Sequence, residues 1–270
     1  MDNTKIGWTN DTRNLWWGCV DVNAQCDHCY ADSFDRRLGG NHWGAHAPRL
    51  AQPGVWKALS DAQRNAAAAR TFRTQFVQSM GDIFERSMPL VNRRGESIDG
   101  STGDLRNRFF VEVVPNSPNL IFLLLTKRPQ NIARMVPESW LVTPPPNVWY
   151  GCSVGCGNRP LDQNNIDALL DVPGRHFLSA EPLLGPLSAD FTGVEWLITG
   201  GESGPKAREA EMAWFRDIRD RCAEQKIAFF MKQMGSRLAK TLGLQDGKGE
   251  TMSEWPEDLR IQQFPMWGLG

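Results

Sequence analysis

The chain has 270 residues, of which 41% are apolar and 23% are charged, and its formal net charge is −1. This composition is typical of a globular protein and excludes a disordered chain, and the length suits one large domain or two ordinary ones. The balanced charge also excludes an overall field that attracts polyanions, so contact with nucleic acid would depend on a local cluster of cations.

The first residues, MDNTKIGWTNDT, are polar and lack the apolar core of a secretory signal. No apolar run reaches the length that crosses a bilayer. We therefore expect a protein without a membrane partner in the reducing cytoplasm, which is the host cytoplasm if a phage encodes it. In that compartment clustered cysteines more often bind metals or take part in catalysis than form disulfides.

The predicted elements begin with a short strand at 15–17, which leads into a turn-rich loop with three cysteines. Segment 56–80 predicts a helix followed by the strand TQFVQSM. The polar segment 92–104 predicts a flexible insertion. The apolar residues of segment 105–114 recur at helical spacing, so this segment predicts a helix.

Five short apolar runs follow, separated mainly by helical segments. They are NLIFLLLT, VWYGCSV, RHFLSAEPLL, VEWLITGG and IAFFMKQMG. Continuously apolar strands that alternate with helices indicate a parallel sheet buried on both faces. With the two earlier strands they make about seven βα units, which predicts an α/β fold with a partial or full (β/α) barrel over residues 1–234. The Gly-rich, polar segment 235–270 predicts a C-terminal extension packed on the barrel.

The cysteine-rich loop contains Cys19, Cys26 and Cys29 within eleven residues. It follows the first predicted strand, so it opens onto the rim of the barrel where active sites lie. Three thiols are a poor number for disulfides or for an all-cysteine zinc site, whereas three thiolates leave one iron of a [4Fe–4S] cluster without a protein ligand. The loop at 19–29 therefore predicts a cluster whose fourth iron is open to a small molecule.

Six motifs carry a resemblance to known proteins over about residues 8–235. They are GC(x6)C(x2)CYA, FVQSMGD, LLLTKRP, FLSAEPLLGPL, WLITGGESGP and FFMKQMG. Together they resemble a phage-associated three-cysteine protein family of unknown function, which is similar to the radical-SAM superfamily. One difference is that six residues separate the first two thiols, whereas the commonest radical-SAM loop has three.

The resemblance implies an enzyme in which Cys19, Cys26 and Cys29 hold a [4Fe–4S] cluster that cleaves S-adenosylmethionine. It also implies an electron donor such as flavodoxin or ferredoxin. The substrate it suggests, by analogy with phage-associated enzymes that modify bases, is a nucleic acid or a modified nucleotide. In the radical-SAM superfamily a Gly-Gly-Glu motif after the second strand often holds the methionine amine, and Asp82 in SMGD would take that place.

Polar residues follow the predicted strands at the rim. A Gly-rich turn offers backbone N–H groups to a carboxylate, and a cation at a strand end can bind an anion. We expect these residues to line the cofactor and substrate pocket, and they are Asp82, Lys127, Ser153, Glu181, Gly200, Gly201, Glu202 and Ser203. The basic pairs Arg36–Arg37 and Arg93–Arg94 predict solvated surface.

A structural zinc site is an alternative use of the same loop. Cys26 and Cys29, followed after twelve residues by His42 and His46, fit the spacing of a zinc finger. Gly39 and Gly40 would interrupt the helix that such a finger needs, and the hypothesis leaves Cys19 without a role.

Two further alternatives concern other residues. Glu181 and Glu202 follow successive strands and could act as the paired carboxylates of a barrel hydrolase. Cys152 and Cys156, with the distant Cys222, could hold a second cluster, although core positions explain Cys152 and Cys222 more simply.

Overall fold

The computed structural model describes residues 1–267. Its strands are β1 (Asp11–Arg13), β2 (Trp16–Trp17), β3 (Arg49–Ala51), β4 (Arg73–Val77), β5 (Pro89–Val91), β6 (Ser97–Ser101), β7 (Leu120–Thr126), β8 (Val148–Ser153), β9 (Arg175–Ala180), β10 (Trp196–Gly200) and β11 (Ala228–Gln233). Its α-helices are α1 (Tyr30–Arg37), α2 (Val55–Ala68), α3 (Thr102–Arg108), α4 (Ile132–Met135), α5 (Glu138–Val142), α6 (Arg159–Leu170), α7 (Met212–Gln225) and α8 (Ser236–Thr241). No helix within residues 1–267 has both the length and the apolar character that a bilayer crossing requires.

Seven strands form one sheet in the order β1-β4-β7-β8-β9-β10-β11, and every neighbouring pair is parallel. Within the described residues the edge strands β1 and β11 do not pair, so the sheet is an open half-barrel. This confirms the predicted α/β fold with a partial barrel. The five apolar runs all became strands because their residues are buried on both faces, as β8 illustrates with six buried residues in succession.

The two faces of the sheet bury different side chains. One face packs against the helices in the main core, and the other encloses an aromatic cluster inside the half-barrel. That cluster includes Trp8, Phe76, Trp149, Phe177 and Trp196. Trp149 and Trp196 lie near the starts of their strands. The indole and phenyl rings thus fill the amino-terminal part of the half-barrel, which leaves space at the carboxyl ends of the strands.

The prediction of the first sheet strand at 15–17 was wrong. Trp16–Trp17 instead pairs antiparallel with β3 in a separate four-stranded sheet of order β2-β3-β5-β6. The first strand of the half-barrel is β1, whose three residues are polar yet buried. Burial is possible because the Asp11 carboxylate accepts hydrogen bonds from Arg73 at 2.8 Å and from Gln75 at 2.7 Å.

The segment 92–104, predicted as a flexible insertion, has regular structure from residue 97 onward. Residues 92–96 connect β5 to β6, which pair antiparallel, and α3 begins at Thr102. Helix α3 then begins with a capping box, in which the Ser101 hydroxyl accepts from the Asp104 backbone and the Asp104 carboxylate accepts from the Ser101 backbone. The helix predicted at 105–114 is present as α3 and a π-helical turn at Phe109–Val113.

The C-terminal segment lies against the half-barrel from residue 235 to residue 267. Trp255 is 1% exposed in the main core, and Phe230 of β11 forms a bridge with Gln262. Trp267 contacts the aromatic cluster, with its ring 5.3 Å from that of Trp149. The division at residue 234/235 stays a prediction, and its last residues, 268–270, lie outside the described residues.

Asp258 fixes the C-terminal segment to α7 and gives a pH-dependent prediction. Hydrogen bonds from Arg216, at 2.8 Å, and from Arg219 hold the pKa of Asp258 at about 2, below its ordinary value of 3.8. Because the folded pKa is the lower one, its stabilising contribution is present above about pH 4 and is lost as the pH falls towards 2. We expect the free energy of unfolding to fall more for the wild type than for Asp258→Asn over this range, in urea titrations at each pH. Equal losses would contradict the ion pairs.

Candidate functional site

A cavity of about 970 Å³ lies at the carboxyl ends of the parallel strands. It brings together residues from the cysteine loop and from the ends of β4, β7, β8, β9 and β10. The predicted residues that line it are Cys19, Cys26, Cys29, Asp82, Lys127, Ser153, Glu181, Gly201, Glu202 and Ser203. Gly200 does not line it but ends β10, where an added Cβ would lie 3.0 Å from Glu181 Oε1.

The cysteine loop takes its shape from a few local features. Gly18 has a φ of +118°, and an added Cβ there would overlap the His42 carbonyl oxygen, so only glycine fits. A short 3-10 helix at Ala24–Cys26 begins at Asn23, whose side chain accepts from the Gln25 backbone. Helix α1 begins directly after Cys29, which occupies its N-cap position. Each of the three thiols is free and partly buried.

Gln25 fixes the cysteine loop to the ends of two strands. Its side-chain amide donates to the Val154 carbonyl at 2.7 Å and to the Pro182 carbonyl at 3.0 Å. The residue is only 5% exposed, so both hydrogen bonds are shielded from water. These two hydrogen bonds therefore hold the loop at the rim of the half-barrel.

Replacing Gln25 with Ala tests this anchor. We expect the free energy of unfolding to fall by about 1–3 kcal/mol, since a buried donor is lost and two carbonyl groups lose a partner. Urea unfolding followed by tryptophan fluorescence measures the change. Gln245→Ala, at an exposed position in the C-terminal segment, serves as the matched control and should lie close to the wild type. A Gln25→Ala protein as stable as this control would show that the loop does not depend on the anchor.

A second anchor is a charged network on the other side of the loop. Glu202 accepts from Arg208, at 2.6 Å, and from the His28 ring, at 3.2 Å, while Arg208 also binds Asp27 at 3.1 Å. Burial alone raises the pKa of Glu202, but the hydrogen bonds from Arg208 and His28 outweigh it and hold the pKa below its ordinary value. Glu202 is thus an ionised acceptor that connects the end of β10 to the cysteine loop.

Arg128 connects the third side of the loop to Asp82. Its guanidinium donates to Asp82 at 2.7 Å, to the Val20 carbonyl at 2.6 Å and to Cys19 Sγ at 3.7 Å. Burial lowers the pKa of Arg128, but the Asp82 carboxylate and the Cys19 sulfur outweigh it and raise the pKa, so the side chain is a fixed cation. Asp82 is 5% exposed and also accepts from the Thr126 hydroxyl and the Lys127 backbone.

Burial favours the protonated form of two of the loop thiols, Cys19 and Cys29. Burial raises the pKa of Cys19 to about 12, with the Asp82 carboxylate as the next cause, and burial also raises the pKa of Cys29. A metal ligand has to be a thiolate, so binding would release these protons. The neighbouring Arg128 cation favours the anionic form of Cys19 and makes this step easier.

Three thiols from one loop are the donor type that an iron–sulfur cluster takes. Among residues 1–267 no three side chains of His, Cys, Asp or Glu, these cysteines included, are grouped to hold a single metal ion. His42 and His46 do not line the cavity, and His42 Nδ1 lies 2.8 Å from Asp35. In a [4Fe–4S] cluster each thiolate binds its own iron, so the three sulfurs would occupy separate corners of one cube, and all three cysteines line this cavity.

The other three cysteines lie apart from this cavity. Cys152 and Cys222 are fully buried in the main core, and Cys156 contacts Asp162 at 3.4 Å. The core positions predicted for Cys152 and Cys222 are confirmed, and neither residue lines the cavity.

The two rim carboxylates do not have the environment of a hydrolase pair. Glu181 lies 2.8 Å from the Lys232 ammonium, and Glu202 is bound by Arg208 and His28. A general acid needs a raised pKa, whereas that of Glu202 is lowered. Both carboxylates are better suited to hold cations in place than to transfer protons.

Several residues of the site were not predicted from the sequence. Gln25 and Tyr30 lie inside the cysteine motif, where burial and contacts cannot be read from residue type. Arg208 lies seven residues after Gly201 in a polar segment, and nothing in the sequence links it to His28 or Asp27. Lys232 ends the apolar run of β11, so its position at a strand end was the available signal.

The comparisons with solved structures found three spore photoproduct lyase variants. One, with bound AdoMet and dinucleoside spore photoproduct, has a TM-score of 0.47 and 10% identity, over 86% of this chain and 58% of that chain. A second has a TM-score of 0.46 and 10% identity, and the match covers 86% of this chain and 58% of that chain. A third has a TM-score of 0.46 and 11% identity, and the match covers 84% of this chain and 64% of that chain. The present chain thus spans less than two thirds of these structures. No curated protein matches the chain.

The comparison with protein families gives one match. Residues 3–256 match the model described as "Protein of unknown function (DUF5131)". The match includes the cysteine loop, all seven strands of the half-barrel and every predicted rim residue. The chain therefore belongs to the DUF5131 family, whose function is unknown.

Proposed function

We propose that the chain is a radical-SAM-type enzyme in which Cys19, Cys26 and Cys29 hold a [4Fe–4S] cluster beside a site for S-adenosylmethionine. The observation that carries the proposal is the common cavity: three sulfurs from one short loop border the same space as the polar residues at the ends of the parallel strands. Active sites of barrel enzymes lie at these strand ends.

The bound cluster would supply one electron to cleave S-adenosylmethionine and so begin radical chemistry on a substrate. Three protein thiolates leave one iron for the amino and carboxylate groups of that molecule. An external protein such as flavodoxin or ferredoxin would deliver the electron. The substrate class suggested by the resemblance is a nucleic acid or a modified nucleotide, and the phage association belongs to the same proposal.

The residues of the chain have distinct parts in this proposal. The Lys127 ammonium, 3.3 Å from the Ser153 hydroxyl, would bind the carboxylate of S-adenosylmethionine. Glu181 would hold a positively charged group opposite Lys232, and the turn after β10 would offer the Ser203 backbone N–H group, since that of Gly201 donates to the Gln233 carbonyl at 3.1 Å. These residues border one cavity and would bind the cofactor from several strand ends.

Asp82 has a different role from the one that the resemblance suggested, which was to hold the methionine amine of S-adenosylmethionine. Its carboxylate already accepts hydrogen bonds from Thr126, Lys127 and Arg128, so no oxygen is left free to hold the methionine amine strongly. We propose that it is a positioning residue, which orients Arg128 against Cys19. The adjacent Gly81 also lines the cavity, and we propose its backbone carbonyl as the acceptor in that place.

Anaerobic reconstitution with iron and sulfide tests the proposal. We expect a brown protein with about four irons per chain that forms 5′-deoxyadenosine from S-adenosylmethionine and dithionite. A colourless protein that retains one zinc, and loses it on changing His42 but not Cys19, would overturn the proposal in favour of the zinc site. Iron bound without any cleavage of S-adenosylmethionine would overturn the assigned reaction.

A further inference from the structure

One face of helix α1 carries apolar side chains that remain partly exposed in the described part of the chain. Tyr30, Phe34 and Leu38 follow one another at intervals of four residues and are 59%, 37% and 63% exposed. The opposite face, with Ala31 and Asp35, is the buried one. A surface helix normally buries its apolar stripe, so this arrangement points to a ligand.

The aromatic rings on this face are held in place. The Tyr30 hydroxyl donates to the Ser79 carbonyl at 2.6 Å, which fixes α1 to the end of β4. The Phe34 ring lies 5.7 Å from that of Trp17 at an angle of 61°, and the Arg37 guanidinium lies 5.3 Å from the Phe34 ring centre. All four side chains line the cavity described above. Fixed rings lose little conformational entropy when a flat ligand stacks on them.

The charges around the cavity favour an anionic ligand. Five charged side chains line it without an opposite charge within 4 Å among residues 1–267, and four of them are cations. They are Lys5, Arg37, Arg93 and Lys127, with Asp21 as the single anion. One member of each basic pair that the sequence assigned to plain surface, Arg37 and Arg93, therefore borders the cavity.

Exposed rings beside unpaired cations are the combination that binds single-stranded nucleic acids, because bases stack on the rings and phosphates pair with the cations. An apolar protein partner would need no such excess of positive charge. The volume of about 970 Å³ lies at the upper end of the range for ligand sites, so it has room for a nucleotide beside a cofactor.

We infer that the rings of Tyr30 and Phe34 form a stacking platform for a base of a single-stranded nucleic acid, whose phosphates bind Lys5, Arg37 and Arg93, the three unpaired cations that the proposed cofactor site does not use. The inference deepens the proposed function, because it identifies the residues that would bind a nucleic-acid substrate. Its relevance to catalysis rests on the proposed function. Three cations set a limit on the electrostatic part, since neutralising three phosphates of a single strand gives a slope of about −2 in a plot of log K against log salt.

Binding of fluorescently labelled 12-nucleotide single strands to the full-length protein tests the inference by anisotropy. DNA and RNA of the same sequence form the two arms and show which sugar is preferred. We expect Phe34→Ala and Tyr30→Ala to weaken binding roughly 5- to 150-fold, the range for loss of one stacked base, while Tyr30→Phe keeps most of it. The control is Phe72→Ala, because Phe72 is 42% exposed and does not line the cavity.

The inference would be overturned by no binding of either strand at low salt, by equal binding of the two alanine variants and the wild type, or by binding of duplex alone. Binding of S-adenosylmethionine that depends on Phe34, without oligonucleotide binding, would assign the rings to the adenine of the cofactor and would also overturn it. The same preparations are assayed for iron and for 5′-deoxyadenosine. Ring-dependent oligonucleotide binding by a protein that never assembles a cluster would refute the proposed function and leave the nucleic-acid site standing.

Discussion

Replacing Cys26 with Ser is expected to reduce the iron content after anaerobic reconstitution from about four per chain to less than one, with loss of the brown colour. The same result is expected for Cys19→Ser and Cys29→Ser. A serine hydroxyl stays protonated near neutral pH and is a poor ligand for iron, and two remaining thiolates leave two irons without protein ligands. Iron and sulfide analysis together with the visible absorption spectrum measure the effect.

Cys156→Ser is the matched control for these variants. Cys156 is partly buried, as are the three loop cysteines, but it does not line the cavity and contacts Asp162. We expect this variant to retain the full iron content. Retention of four irons by the Cys26→Ser protein, or an equal loss in the Cys156→Ser protein, would contradict the assignment of the ligands.

The sequence predicted the half-barrel well where burial and apolar character coincide. Strands β7 to β11 are continuous apolar runs because both of their faces are covered, and such runs are easily recognised. Strand β1 was missed because its buried residues are polar and are compensated by partners sixty residues away, such as Arg73 and Gln75. A local pattern of residue types does not reveal hydrogen bonds between residues so far apart in the sequence.

The site residues also divide into features that the sequence predicted and features that it could not. The cysteines and the strand-end residues were predicted because a parallel sheet brings the ends of its strands to one edge. What the sequence could not give is which of these groups already have partners. Asp82 and Glu202 have the residue type of cofactor ligands, but the structure shows that Arg128 and Arg208 occupy their oxygens. Both carboxylates therefore act on the cysteine loop through an arginine.

These contacts between the cysteine loop and the strand ends explain how a loop rich in turn-forming residues can hold three thiols at one place. The loop contains glycine, asparagine and aspartate, which favour turns and give little rigidity of their own. Gln25, Arg128 and Arg208 connect it to the ends of β8, β7 and β10, respectively. The rigid half-barrel thus sets the position of the sulfurs, and the loop itself needs no regular structure beyond one short helical turn.

Arg128→Met is expected to have the largest effect on stability among single changes at these anchors. It leaves the Asp82 carboxylate buried without its cation, which costs about 3–5 kcal/mol for a buried pair. The lower end, about 3 kcal/mol, applies here because the Thr126 hydroxyl and the Lys127 backbone still donate to Asp82. Urea unfolding of the metal-free protein measures the loss. Arg134→Met, in the exposed part of α4, is the control and should change the free energy of unfolding by less than about 0.5 kcal/mol.

The double variant Arg128→Met with Asp82→Asn separates charge burial from lost packing. Removing the second charge should recover part of the lost stability, because the penalty comes from an uncompensated carboxylate. The double variant should still bind iron more weakly than the wild type, since the cation that favours the Cys19 thiolate and holds the Val20 carbonyl is absent. If the double variant is no more stable than Arg128→Met, the Asp82–Arg128 pair does not support the loop through its charge, and packing of the arginine side chain is the better explanation.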